Sequence, residues 1–119
     1  MERLHLFNHH IYELKKGLRN LVLYSALPPE VEPLEQRLKK NGIAYICQKV
    51  SDRKVNVFFG SYQCVKIIRM FNQSDLSKLT DEQDFILGVM LGYDIRLQCE
   101  RFSKRKEYHL IAEKNPQAA

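Results

Sequence analysis

Three histidines near the amino terminus are the first residues whose types and spacing could do chemistry. His5 and His9 stand one helical turn apart, with His10 beside them, and two imidazoles at that spacing can share a metal ion. Helical phase sets them opposite Leu4, Phe7, Ile11 and Leu14, so a solvent-facing position is expected for all three. No Cys-x-x-Cys and no nearby carboxylate pair completes a ligand set, and no metal is expected. Of the thiols, Cys64 lies on an apolar stripe and Cys47 within a strand-like run, where burial keeps sulfur inert. Cys99, with Arg96 close in sequence, is the one expected to be partly exposed. Gly-x-Ser-x-Gly, Walker and dinucleotide patterns are all missing. No catalytic residue is assigned and no cofactor is expected.

Binding chemistry has more to work with. Nineteen Lys and Arg against fourteen Asp and Glu give a net charge of +5, which favours encounter with nucleic acid, phosphates or an acidic protein. The densest basic cluster is Arg96, Arg101, Lys104, Arg105 and Lys106, with Tyr93 just before it. Tyr and Arg are enriched at binding hot spots, so these six residues form the candidate contact surface. Gly60-Ser61, before a helix, is a generic anion position. The stretch Arg53 to Gly60 has the basic and aromatic residues of an RNA-reading strand without the glycine spacing of that motif, and Phe58 and Phe59 are expected in the core.

The elements that must carry these residues follow from periodicity. Leu4, Phe7, Ile11 and Leu14 predict a helix ending near Gly17, and the apolar run 20–26 predicts a central strand covered on both faces. A helix over 30–41 follows, with acidic residues at its start and basic ones at its end, and Pro33 confined to its first turn. Runs 43–50 and 54–59 predict a hairpin, and Cys64, Ile67, Ile68 and Phe71 predict another helix, whose outer face carries Lys66 and Arg69. Thr80 and Gln83 form a capping box that starts a long helix from Asp81 to about Arg101. Within it, Gly88 and Gly92 suggest that another backbone packs closely. Residues 108–112 are open between strand and helix, and 115–119 are expected to fray.

This order, αβαββαα, predicts one small α+β domain over residues 1–119, with a three-stranded sheet resembling a ferredoxin-like fold without its fourth strand and a long carboxy-terminal helix. Open sheet edges and the apolar run Phe85 to Leu91 predict a homodimer. The three widely spaced cysteines, an odd number, fit free thiols in a reducing compartment, and no run is long enough to span a bilayer, so the cytoplasm is expected.

The run Leu79 to Asp94, LTDEQDFILGVMLGYD, continued by Gln98 to Phe102, resembles a bacterial family of uncharacterised proteins, domain of unknown function two thousand and twenty-three. The resemblance implies three strands, about five helices and a homodimer, with no catalytic motif to carry over. It also implies an electron-transfer partner, because members tend to be encoded beside flavodoxins. Flavodoxins are typically acidic and this chain is +5, so long-range attraction would speed their encounter. The leading expectation is therefore a non-enzymatic binding or accessory protein for an acidic redox protein. Nucleic-acid binding, which needs Arg96 to Lys106 to join Lys15, Lys16 and Arg19 in one patch, is the alternative. An unidentified enzyme using Cys99 or the histidines comes third.

Overall fold

The computed structural model describes residues 2–114 as α1 (Glu2–Lys15), β1 (Leu21–Ala26), α2 (Pro28–Lys40), β2 (Ala44–Ser51), β3 (Lys54–Gly60), α3 (Tyr62–Phe71), a 3-10 turn (Leu76–Lys78), α4 (Asp81–Met90) and α5 (Ile95–Lys114). The three strands form an antiparallel sheet in the order β1-β3-β2. Because both outer strands run antiparallel to β3, β1 and β2 are parallel to each other and joined through α2. This is the first part of a ferredoxin-like sheet, and the place of the missing fourth strand is the outer edge of β1. The central position expected for residues 20–26 is thus corrected. An apolar run is covered on both faces at an edge as well as in the middle, and the hairpin return of β3 takes the middle.

Alternation along the strands divides the core between two layers. Val22, Tyr24, Val57 and Phe59 face α1 and α2, where Phe7 packs 4.9 Å from the Phe59 ring and 5.5 Å, edge-on, from the Tyr24 ring. Leu21 and Phe58 face the other way, onto Val65 and Ile68 of α3 and Leu87 of α4. Phe7, Phe58 and Phe59 are fully buried, and each such side chain contributes about 1.5–3 kcal/mol.

Two helices differ from expectation. Both Pro28 and Pro29 lie inside α2, in its first turn, where their missing N–H groups cost nothing. Pro33 falls in the second turn instead of the first, so the carbonyl of Pro29 lacks its helical donor. The start is held by Glu30, whose Oε1 accepts the Leu27 N–H at 2.7 Å.

The predicted helix from Asp81 to Arg101 is two helices. Gly92 (φ +83°) ends α4 with Tyr93 N–H donating to Gly88 O at 3.1 Å and Gly92 N–H to Val89 O at 3.0 Å, the paired bonds of a Schellman motif. Two residues later Asp94 starts α5 by accepting the Leu97 N–H at 3.0 Å. The chain reverses, α5 lies back along α4, and Gly88 receives the side chain of Gln98, to whose Oε1 a Cβ would come within 2.0 Å. A neighbouring side chain, not a backbone, explains that glycine. Residues 108–112 are helical, and α5 runs 20 residues to Lys114 as the long carboxy-terminal helix. The expected frayed tail, 115–119, lies outside the described residues. Among the described residues no helix is long and apolar enough to cross a membrane.

Candidate functional site

The reversal at Gly92 decides what the six candidate residues can do. It brings the acidic first turn of α4 against the basic half of α5. Arg101 grips Asp84 through both carboxylate oxygens, Nε to Oδ2 at 2.8 Å and Nη2 to Oδ1 at 3.0 Å. Arg105 reaches Asp81 Oδ1 at 2.9 Å, Asp84 Oδ1 at 3.0 Å and the Leu79 carbonyl at 3.2 Å. Lys106 pairs with Glu82. Their partners respond. The Asp81 carboxyl, buried and bonded first by His109 Nδ1 at 2.8 Å, is held below the usual carboxylate range. Glu82 is lowered chiefly by Lys106, while Lys106 is raised by Glu82 and Arg101 by Asp84.

Arg101, Arg105 and Lys106 are therefore brought together, but around carboxylates of the same chain. Bidentate and shared Arg–carboxylate bonds of this kind fix geometry and leave little free charge. Arg96 and Lys104 lie on the exposed outer side of α5 and have no ion pair among the described residues. Tyr93 sits apart in the α4–α5 turn, 55% exposed. There it lines a cleft of about 430 Å³ between the helical hairpin, the 3-10 turn and Leu23 of β1.

The basic residues that nucleic-acid binding would recruit are divided by the sheet. Lys15 ends α1 and Lys16 and Arg19 follow it, on the sheet face opposite α3 and α4. Lys15 bonds Asn41 Oδ1 at 2.6 Å, and Arg19 reaches His10 at 3.2 Å and Glu13 at 3.9 Å.

His5 and His9 are exposed, as their phase requires, but His10 is not. It is wedged between Glu13 Oε1 at 3.4 Å and Arg19, and burial lowers its pKa. Its position beside Ile11 at the flank of the stripe, with the chain after Gly17 folding back over it, explains the difference. Among the described residues no three His, Cys, Asp or Glu side chains are grouped to hold a metal. Cys99 is exposed. Cys47 is partly buried, and that burial pushes its thiol up to about 11.

One surface escaped the sequence reading except for two of its charges. Along α3, Tyr62, Lys66, Arg69 and Met70 recur at i, i+4, i+7 and i+8 and are all exposed, with Tyr62 at 62% and Met70 at 72%. The helix contains no acidic residue. Its inner stripe, Val65 and Ile68, is what fixes this outer face.

The fold and its surfaces define a small α+β domain with an incomplete ferredoxin-like sheet and a helical hairpin. The chain belongs to the family described as Protein of unknown function (DUF2023), whose model matches residues 5–105. No curated protein matches the chain.

Proposed function

We propose that this protein is a non-enzymatic binding or accessory protein that docks an acidic partner through the outer face of α3. The observation that carries the reading is that Lys66 and Arg69 stand beside exposed Tyr62 and Met70 on a helix without a carboxylate. Tyr, Met and Arg are enriched at protein interfaces, and an uncompensated charge pair steers encounter where a paired one cannot. Arg96 and Lys104 on α5 are a secondary basic surface, Arg101, Arg105 and Lys106 serve mainly to hold the hairpin, and Tyr93 stands apart on the cleft. An acidic redox protein such as a flavodoxin, the partner implied by the family resemblance, fits this chemistry. Three cysteines without a disulfide support a reducing, cytoplasmic setting.

Stopped-flow association with an acidic flavodoxin tests the reading. Exchanging Lys66 and Arg69 for Glu should slow association by about tenfold and flatten its dependence on ionic strength, with the fold intact. Exchanging Arg101 and Arg105 for Glu should instead lower stability through Asp84 and Asp81. An association rate that ignores both salt and the α3 exchange removes the reading.

A further inference from the structure

Polarity at the start of α5 runs opposite to burial. From Ile95 to Arg101 the only residue that is not exposed is Gln98, while Ile95 and Leu97 are each more than half exposed. An amide thus takes the inward position that an apolar side chain would fill without burying any polar atom. The residue opposite it on α4 is equally unusual. Gly88 is buried inside a helix, where glycine costs about 1 kcal/mol relative to alanine. The space its missing Cβ leaves is where the Gln98 side chain lies. Two positions are therefore given over to seating one carboxamide.

That carboxamide makes no hydrogen bond to another described residue. The hairpin is held elsewhere, by Arg101, Arg105 and His109 on Asp84 and Asp81. Gln98 instead lines the cleft of about 430 Å³ beside β1, whose wall is apolar, with Leu23, Leu76, Leu87 and Leu91, and to which Tyr93 adds an aromatic ring. The two charged side chains on the cleft, Arg101 and Asp84, bond each other through both carboxylate oxygens and cancel. A concave, mostly apolar surface with one uncommitted polar group is the form of a small-molecule site. Such a site is also where the rule that amides face water is expected to be broken.

We propose that this cleft binds a neutral, flat heterocycle by its lactam edge, with Gln98 as the residue that sets specificity. A carboxamide offers a donor and an acceptor side by side. The group that satisfies both at once is an amide whose N–H and C=O point the same way, which a lactam ring enforces. The leucines cover the ring, and a charged ligand would have to displace the Arg101–Asp84 pair. No residue of α3 lines the cleft, so this site stands or falls separately from the partner surface proposed above.

Carbostyril, a neutral benzo-fused lactam, is the probe. N-methylcarbostyril keeps the rings and the carbonyl but has no N–H, and is the control. In proton–nitrogen correlation spectra of the full chain, carbostyril should shift the Gln98 side-chain amide and the backbone amides of Gly88, Leu91 and Tyr93. The N-methyl compound should bind about tenfold more weakly or worse, because the Gln98 carbonyl is left without its donor. Gln98→Met keeps the length of the side chain and should bind both compounds alike while melting no lower than the wild type. A glutamine that only held the hairpin would instead lower the melting temperature when replaced and leave the wild type indifferent to the methyl group. If Gln98→Met does not fold, the wild-type preference between the two compounds decides. Equal binding of both by the wild type, or no shift of the cleft signals with millimolar carbostyril, overturns the proposal. So do cleft signals that move on dilution of the protein alone, as they would if a second copy filled the cleft.

Discussion

Asp81 Oδ2 lies 2.8 Å from His109 Nδ1, so the first turn of α4 is tied to α5 28 residues later in the chain. Arg105 bonds the other oxygen at 2.9 Å, and the carboxylate is nearly enclosed between two donors. A carboxylate bonded this way prefers its charged form, and its pKa lies below the unfolded value. The sign of the consequence follows. Stability from Asp81 is fully present above the unfolded value of about 3.9 and is lost as pH falls through the lower folded value. Glu82, held down by Lys106, adds in the same direction. Thermal melts from pH 7 to pH 2 should show Asp81→Asn several degrees less stable than the wild type near neutrality. The two should converge in acid, where both lack the charge.

The same hairpin depends on how α4 begins. Thr80 Oγ1 accepts the Gln83 N–H at 3.1 Å, and Gln83 Oε1 accepts the Thr80 N–H at 3.0 Å. Thr80→Ala leaves the Gln83 amide without its partner and should cost about 1 kcal/mol, read as a lower denaturant midpoint with an unchanged slope. Thr80→Ser should restore most of it.

That capping box was legible because its signal is local, four residues with one physical purpose. So was the α1 stripe of Phe7 and Ile11, both buried, and so were the hairpin and the core positions of Phe58 and Phe59. The break at Gly92-Tyr93-Asp94 was equally local, a left-handed stop followed by an acidic start. It was masked because apolar residues continue on both sides and Gly88 offered a competing reason for glycine. The rest was not local at all. Whether Arg101 is a free cation or half of a bidentate pair depends on α5 folding back onto Asp84, and no spacing within either helix records that. Strand order has the same character, since alternation along β1 says which faces are covered and not which neighbour lies beside it.

The cysteines should separate by rate. Cys99 is exposed, whereas Cys47 is partly buried and its thiol is pushed up to about 11 by burial and then by the Glu35 charge. At pH 8 the reactive thiolate of such a group is about one part in a thousand. A thiol reagent followed by mass spectrometry should label Cys99 first. Labelling of Cys47 should lag by two or more orders of magnitude unless denaturant is added. Cys99→Ser should abolish the fast phase and leave the slow one.

The last expectation concerns two glycines that are strained for different reasons. Gly92 holds φ +83° in the α4–α5 turn, with nothing within 4 Å of the place a Cβ would take. Alanine there meets only the left-handed backbone penalty, about 1–2 kcal/mol. Gly60 sits where β3 leaves the sheet, at φ +149°, and a Cβ would lie 2.3 Å from the Asn20 carbonyl oxygen and 3.0 Å from the Leu21 Cα. Both obstacles are backbone, and neither can rotate away. Moving Asn20 would stretch the Ser61 N–H to Asn20 O bond and disturb the first pair of the β1–β3 ladder. Gly60→Ala should therefore cost clearly more than Gly92→Ala, on the order of 3 kcal/mol or above, from strain and contact together. Chemical denaturation of the two variants side by side checks the ranking. If Gly60→Ala is the milder of the two, the close approach of β3 to Asn20 is not what that glycine provides.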